Sequence, residues 1–428
     1  MKEYIALVIF VIVYVLIVGR IRFKIPIWAA MLIGASLMMG FQIIDVNSAI
    51  KSIQLDVIMF LFGMFSIVSA LERSGVLRYV SVKMLSKAKS PNSLLMMFVV
   101  GMGLLSAFLV NDIIALMAIP LVIYISKQVN VKPTVFLIAL AFGVTVGSAM
   151  TPIGNPQNLL IALQSGISLP IASFLKFLAI PTIINLFLTY YILRIYFRKD
   201  LLQSSYSQGT MTLQDSLIED PRLAKISVAI LIVTIAGFFV SEILQFLHVV
   251  TVHISIIAMG GAAVLYAISG QRREIMKNVN YPVLVFFAAM FVVTSALWSS
   301  GAISLFMKHL PIPNPNDIFQ SSAVISAYSI TFGQILSNVP FVALYNYIMI
   351  DNGFTATHVA QWMMLAAAST ISGNLTILGA ASSIIIIQAT ESRGVKAFTF
   401  LEFLKIGSVV TVVNLAVYYL FVVLFSYF

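Results

Sequence analysis

The chain has 428 residues, of which 61% are hydrophobic and 9% charged, whereas soluble domains carry about 25% charged residues, so the composition indicates an integral membrane protein. The net charge of +10 does not indicate a nucleic-acid partner, because the basic residues lie in short loops between apolar runs and form no patch on a soluble face. The chain has no cysteine and its four histidines lack metal-ligand spacing, so neither a disulfide framework nor a metal site or cofactor is predicted.

About ten apolar runs are near the length needed to cross about 30 Å of hydrocarbon. The runs lie at 4–19, 25–42, 55–71, 134–164, 170–194, 224–242, 250–269, 281–298, 358–390 and 400–427. The first run lacks a small-residue cleavage site and basic residues follow it directly. We therefore expect it to be a retained span and not a signal peptide.

Four segments contain polar interruptions. Runs 134–164 and 358–390 are too long for one simple helix and contain Gly, Pro and Asn residues, which predicts a broken helix in each. Runs 93–126 and 317–350 have a polar tip near the middle. Each is predicted to be a re-entrant hairpin of two half-membrane helices that enters and leaves on the same side.

The basic residues test this topology independently. With the hairpins counted as no crossing, 20 of the 25 Lys and Arg residues fall on one side, which the positive-inside rule identifies as the cytoplasm. This orientation predicts a multi-pass protein of the cell membrane with both termini outside. Segment 72–92 has basic residues among apolar ones and is predicted to be an amphipathic helix on the cytoplasmic surface.

The chain contains an internal repeat. Residues 60–75 align with 286–301 at 8 identities in 16 positions. Five predicted crossings separate the starts of the two copies, and because five is odd the second copy enters from the opposite face. The fold class predicted is therefore an all-α polytopic membrane protein with two inverted repeats. The repeats are 1–196 and 224–428, joined by a cytoplasmic linker at 197–223.

The first predicted break reads TPIGNPQN at 151–158. Pro152 and Pro156 each remove a backbone N–H and disfavour helix at the preceding residue. The loop carbonyls can hold a cation, and the half-helix that follows presents N–H groups and a positive dipole end to an anion. Matching interruptions in two halves are the best sequence-level indication of the midplane binding site of a secondary transporter. The candidate site residues here are Thr151, Gly154, Asn155 and Asn158.

The second predicted break covers 373–379 and continues into a serine pair. Its TILG followed by Ser corresponds to the TPIG followed by Asn of the first break. A packing kink is the alternative for a single break, since glycine and proline are common in membrane helices. The candidate site residues of this segment are Gly373, Asn374, Thr376, Gly379 and Ser383.

The hairpin tips carry the remaining candidates, which are Asn111, Asp112, Ser337 and Asn338. The two asparagines match to within one residue of the repeat offset and are predicted to contact substrate, although each is also suited to capping a helix. Asp112 lies in the middle of an apolar segment, where an ionised carboxylate is costly. It is predicted to carry a proton or bind a cation, with helix capping as the alternative.

These motifs resemble the ion transporter superfamily over nearly the whole chain. VND at 110–112, TPIGNPQN at 151–158, SNVP at 337–340 and GNLTILGAASS at 373–383 are most similar to the branch of arsenite permeases, sodium/proton antiporters and anion permeases, with a citrate-transporter-like domain. The resemblance implies an elevator-type or rocking transporter, a homodimer, and a site at the tips and broken helices. It carries over Asn111, Asp112, Asn155, Asn158, Asn338 and Asn374.

The residues favour a secondary transporter with Asp112 as the proton carrier, and the resemblance implies export of arsenite or a related small inorganic anion or metalloid in exchange for protons. The alternatives are a sodium/proton antiporter and a sodium- or proton-coupled transporter of citrate or dicarboxylates. In the dicarboxylate branch both tips typically read Ser-Asn-Thr, whereas here they read Val-Asn-Asp and Ser-Asn-Val. An enzyme is not predicted, because Asp112 has no acidic partner and no histidine lies at depth.

Overall fold

A computed structural model describes residues 2–18, 25–204, 218–250, 252–303 and 311–427. All regular secondary structure in these ranges is helical. The basic loop at 20–24 and the centre of the predicted linker, 205–217, lie outside the described residues. The helices before the linker are α1 (Lys2–Val18), α2 (Ile27–Gly40), α3 (Val46–Ser52), α4 (Leu55–Arg73), α5 (Val76–Leu85), α6 (Pro91–Ser106), α7 (Asn111–Gln128), α8 (Pro133–Ser148), α9 (Pro156–Gln164), α10 (Pro170–Tyr196) and α11 (Arg198–Leu202).

The helices after the linker repeat part of this order. They are α12 (Pro221–Phe246), α13 (Ile254–Ile268), α14 (Arg272–Lys277), α15 (Tyr281–Ser299), α16 (Ile318–Leu336), α17 (Asn338–Asp351), α18 (Val359–Ser372), α19 (Ala381–Glu391) and α20 (Phe400–Phe425). In both halves a helical hairpin is followed by an interrupted helix and then by one long helix.

Six of the described helices are long and apolar enough to cross a membrane: α4, α7, α10, α12, α15 and α20. The other predicted spans are shorter helices, or pairs of helices where a break was predicted. The hairpin arms differ from the sequence prediction in length. α7 has 18 residues and is therefore about 27 Å long, which exceeds half of the hydrocarbon thickness.

The helices of the two halves interlock. α6 packs against α8, and α16 packs in the same way against α18. The second arm of each hairpin also packs against the half-helix of the other half, α7 on α19 and α17 on α9. Because each hairpin packs against the half-helix of the other half, both tips and both breaks come together in the interior.

Glycines make the closest of these contacts. A Cβ atom added to Gly147 of α8 would lie 2.0 Å from the backbone oxygen of Gly103 in α6. Gly143, one turn earlier, would meet the backbone of Val99 at 2.9 Å. Small residues at this spacing let two helix backbones approach directly within a membrane.

Polar contacts join α10 to α20. Asn185 Nδ2 donates to the backbone oxygen of Asn414 at 3.0 Å, and Asn414 Nδ2 donates to Thr189 Oγ1 at 3.1 Å. The hydroxyls of Thr182 and Tyr418 lie 2.6 Å apart. Hydrogen bonds of this kind hold membrane helices together where the hydrophobic effect contributes little.

Glu242 is also buried, at 7% exposure. The sequence places it at the end of a span, but α12 continues past it to Phe246. Its carboxylate accepts hydrogen bonds from the backbone N–H groups of Ile171 and Ala172. These are among the first N–H groups of α10, which otherwise lack an intrahelical partner. Glu242 therefore fixes α12 to the start of α10.

Candidate functional site

A cavity of about 520 Å³ lies where the two tips and the two breaks meet. Four helices begin at its wall, with Asn111 of α7, Pro156 of α9, Asn338 of α17 and Ala381 of α19 all lining it. The N-terminus of a helix carries a partial positive charge and unsatisfied N–H groups. The dipoles of these four helix ends therefore favour a negatively polarised solute in the cavity.

The two hairpin tips have the same strained backbone. Val110 and Ser337, the residues directly before Asn111 and Asn338, have φ values of +53° and +68°. Residues other than glycine rarely adopt positive φ, and a β-branched residue such as valine is a marked outlier. Strain of this kind, roughly 1–3 kcal/mol at each position, persists only where the surroundings impose it.

Each tip is tied to the break of its own half by one backbone hydrogen bond. Asn111 N donates to the oxygen of Gly154 at 2.8 Å, and Asn338 N donates to the oxygen of Gly379 at 3.2 Å. In the first half Thr151 Oγ1 also donates to the oxygen of Ala107. These bonds hold the strained tips against the breaks.

The first break is filled by its own asparagines. Asn158 Nδ2 donates to the backbone oxygens of Ser148 (3.2 Å), Ala149 (3.4 Å) and Thr151 (3.2 Å). Asn155 Oδ1 caps α9 by accepting from Asn158 N at 2.9 Å. The amides of these two side chains thus occupy the position where the loop carbonyls could otherwise hold a cation.

The second break is organised by side chains of α16 and α18. Gln334 Nε2 donates to the oxygen of Ser372 at 2.6 Å, and Thr376 Oγ1 donates to Gln334 Oε1 at 2.7 Å. Ser372 Oγ donates to Asn338 Oδ1 at 2.9 Å. Gly373 lies against this asparagine, since a Cβ there would be 2.8 Å from Asn338 Nδ2.

Three polar side chains, one within the second break and two just after it, have no hydrogen-bond partner among the described residues. Both side-chain polar atoms of Asn374 and the hydroxyls of Ser382 and Ser383 are unpaired, and all three residues are fully buried. An unsatisfied buried polar group costs about 1–3 kcal/mol. The two breaks therefore differ. The side chain of Asn158 donates hydrogen bonds to backbone oxygens of the first break, whereas its counterpart Ser383 in the second half has an unpaired hydroxyl.

Asp112 faces the cavity. Its backbone N–H donates to Asn111 Oδ1 at 2.9 Å, and its carboxylate has no hydrogen bond or ion pair with any described residue. Among the described residues of the lining, it is the one ionisable side chain, and no Lys, Arg or His is present. A proton or a cation is therefore the available partner for its charge.

The predicted site residues separate into two groups. The tip residues Asn111, Asp112, Ser337 and Asn338 line the cavity. The predicted break residues do not line the cavity, and they are Thr151, Gly154, Asn155, Asn158, Gly373, Asn374, Thr376, Gly379 and Ser383. Four polar residues outside the predicted set also line the cavity, namely Thr145, Gln157, Asn280 and Gln388. Gln157 lies within the TPIGNPQN motif, so the motif could have identified it as a site residue.

Known proteins resemble this chain along its length. The profile of the citrate transporter family, CitMHS, matches residues 8–368. An uncharacterised transporter of Mycobacterium tuberculosis is 27% identical over 424 residues, which cover 96% of each chain. The silicon efflux transporter LSI3 of Oryza sativa is 26% identical, over 91% of this chain and 90% of that protein.

The fold also resembles that of a solved transporter. The crystal structure of the Alcanivorax borkumensis YdaH transporter superposes with a TM-score of 0.54 at 13% sequence identity, covering 96% of this chain and 97% of that one. At this level of identity the likeness concerns the fold alone. Since the family profile covers most of the sequence, the chain belongs to the CitMHS citrate transporter family and is a secondary transporter.

Proposed function

We propose that this transporter exports arsenite or a related small inorganic anion or metalloid from the cell in exchange for protons. The observation that carries this proposal is the lining of the 520 Å³ cavity, which combines four helix N-termini and several side-chain amides with the single carboxylate of Asp112. Citrate carries up to three negative charges and would meet that carboxylate with no Lys, Arg or His among the described lining residues. A neutral inorganic oxyacid, or its singly charged anion, avoids this repulsion between two negative charges.

The similarity to a silicon efflux transporter agrees with this substrate class. In water at neutral pH, dissolved silicon and arsenite are both weak oxyacids that are largely protonated and therefore uncharged. Such solutes donate and accept hydrogen bonds, and the side chains of Asn111, Gln157 and Asn338 offer both kinds of group at the cavity. The similarity to the rice protein thus supports an uncharged oxyacid as the substrate. The choice of arsenite in particular rests on the resemblance of the motifs.

Asp112 couples transport to protons in this mechanism. It takes up a proton when the cavity faces outward and releases it when the cavity faces inward, so solute and proton alternate in the site. Coupling requires only that the loaded and empty forms differ in how readily they reorient. The cavity reaches Pro26 and Asn280, which follow basic segments on the predicted cytoplasmic side, so we assign this conformation as inward-facing.

The proposed architecture completes the mechanism. Residues 1–196 and 224–428 form two inverted repeats, with 197–223 as a cytoplasmic linker and both termini outside the cell membrane. The exchanged contacts of α7 with α19 and of α17 with α9 support this arrangement. A homodimer is proposed from the resemblance of the motifs.

Two other functions have a specific observation in their favour. The unpaired polar atoms of Asn374 and Ser383 could hold a sodium ion, which favours a sodium/proton antiporter. The family description and the four helix N-termini favour a citrate or dicarboxylate transporter coupled to sodium or protons. Both alternatives are separated from the main proposal by the same measurement.

The experiment is solute flux in proteoliposomes with imposed proton or sodium gradients. We expect a pH gradient to drive arsenite uptake, and citrate neither to compete nor to be transported. Asp112→Asn should abolish the dependence on pH, while Asp351→Asn, an exposed carboxylate at the end of α17, should keep it. Sodium-driven flux, citrate transport, or pH-driven flux by Asp112→Asn would each contradict the proposal.

A further inference from the structure

We propose that a second cavity, separate from the candidate site, binds a zwitterionic phospholipid with a phosphoethanolamine headgroup. The cavity has a volume of about 450 Å³ and lies between α5, the end of α4 and the hairpin α6–α7. Its shape and charges carry the proposal, which does not depend on the transported solute.

The wall that the hairpin contributes to the cavity is largely apolar. The hairpin supplies Met102 and Leu105 from α6 and Ile114, Met117 and Leu121 from α7. Leu116 also lines the cavity and is 39% exposed, so the apolar wall continues onto the outer surface of the protein. In a membrane this surface contacts lipid, and an acyl chain can enter from the side without leaving hydrocarbon.

The rest of the lining includes four charged side chains, two of each sign. Glu72 ends α4, Arg78 lies in the first turn of α5, and Glu219 and Arg393 come from the segments before α12 and after α19. The backbone of Glu219 is fixed next to the end of α4, since its N–H donates to the oxygen of Ser74 at 3.0 Å. All four charged residues therefore lie at helix ends, on the side predicted to be cytoplasmic.

These charges are not neutralised by one another. None of the four side chains forms an ion pair within the described residues. The side chain of Arg393 makes one hydrogen bond, from Nη1 to the oxygen of Ala389 at 2.6 Å, and its remaining guanidinium donors are available. Arginine is well suited to phosphate because its planar group offers paired donors. Two arginines next to two carboxylates match a headgroup that carries a phosphate and an ammonium group.

The balance of charge selects the lipid class. A purely anionic headgroup such as phosphatidylglycerol would satisfy Arg78 and Arg393 but would be repelled by Glu72 and Glu219. The methylated ammonium of phosphatidylcholine cannot donate hydrogen bonds to carboxylates. Phosphatidylethanolamine offers three ammonium donors and a phosphate, and one of its two acyl chains would lie against the apolar wall of the hairpin. The occupied cavity would also support α7, whose first turn contributes Asp112 to the candidate site.

The proposal is tested by native mass spectrometry of the full-length protein released from detergent in the presence of phosphatidylethanolamine, phosphatidylglycerol, phosphatidylcholine or free phosphoethanolamine. We expect phosphatidylethanolamine to be retained at least tenfold more than the other lipids, and free phosphoethanolamine not to be retained. Either Ser81→Phe or Ala118→Phe, which fill the cavity from opposite walls, should abolish this retention. Lys83→Gln, on α5 but outside the lining, should leave it unchanged.

A second variant tests the charge argument. Replacing Glu72 and Glu219 together by glutamine removes the partners of the ammonium group and leaves both arginines. We expect the preference to shift from phosphatidylethanolamine to phosphatidylglycerol by about tenfold. Equal retention of all lipids by the parent protein, a parent preference for phosphatidylglycerol, or undiminished retention by both filled variants would overturn the proposal. Retention of the free headgroup would instead indicate a soluble phosphorylated ligand and would also overturn it.

Discussion

Thr370 of α18, which precedes the second break, is hydrogen-bonded to Asn158 of the first break, with Thr370 Oγ1 donating to Asn158 Oδ1 at 3.2 Å. The same hydroxyl accepts a hydrogen bond from Asn155 Nδ2 at 3.1 Å. All three residues are at most 1% exposed. A single hydroxyl from the second half therefore completes the hydrogen bonding of both asparagines in the first half.

Thr370→Val is expected to destabilise the protein by about 1–3 kcal/mol, because it leaves two buried amide groups each short of a partner. The measurement is the midpoint of thermal unfolding in detergent. Thr411→Val is the matched control, since the Thr411 hydroxyl is buried without a hydrogen-bond partner, so its removal should cost nothing or stabilise. An equal loss of stability in the two variants would show that the 155–158–370 network does not stabilise the fold.

The strain at the tips gives a second prediction. Ser337 has a φ of +68°, and glycine adopts positive φ without a steric penalty. Ser337→Gly is therefore expected to raise the free energy of unfolding by about 1 kcal/mol. The substitution also removes the long hydrogen bond from Ser337 Oγ to the oxygen of Gly379 at 3.4 Å, and this loss reduces the gain in stability.

Ser392→Gly is the control for this prediction, because Ser392 is exposed and has an ordinary φ of −61°. It should not stabilise. If Ser337→Gly destabilises by as much as Ser392→Gly, the tip is not under strain. If Ser337→Gly is more stable but transports more slowly, the strain is part of the transport cycle.

The close contact of α6 with α8 gives a third prediction. Gly147→Ala would place a Cβ 2.0 Å from the Gly103 oxygen, and a backbone atom cannot give way as the end of a side chain can. We expect a loss of about 3 kcal/mol or more, at the upper end of overpacking effects. Gly260→Ala is the control, because a Cβ there meets nothing within 4 Å, so helix propensity should make it neutral or stabilising. Similar melting temperatures for the two variants would contradict the packing described here.

The sequence predicts the position of each tip and break because Pro, Gly and Asn in apolar runs have direct consequences for the backbone. α7 begins at Asn111 and α9 at Pro156, as the motifs indicate. The partners of the break residues could not be predicted, since the hydroxyl of Thr370 reaches Asn158 from 212 positions away. A motif identifies polar groups but does not tell which of them face a cavity and which satisfy one another.

The sequence also did not predict that a hairpin arm is longer than half of the membrane. A polar tip near the middle of 93–126 suggests two half-membrane helices, yet α7 continues to Gln128 despite Pro120. A proline within a membrane helix is tolerated where neighbouring groups satisfy the backbone. Packing against α8 and α19 gives α7 such surroundings, and this is a property of the assembled fold.

The asymmetry of the breaks gives the last prediction, which concerns the proposed binding role of the second break. Ser383 corresponds to Asn158, whose amide fills the first break, and the unpaired groups around Ser383 are free to bind water or an ion. Ser383→Asn should supply an amide to the carbonyls of this break and so reduce flux by at least tenfold, with unchanged or increased thermal stability. Ser383→Ala removes one hydroxyl without filling the space and should reduce flux less. Full activity of a stably folded Ser383→Asn variant would exclude the second break from the binding site and leave the tips alone to hold the solute.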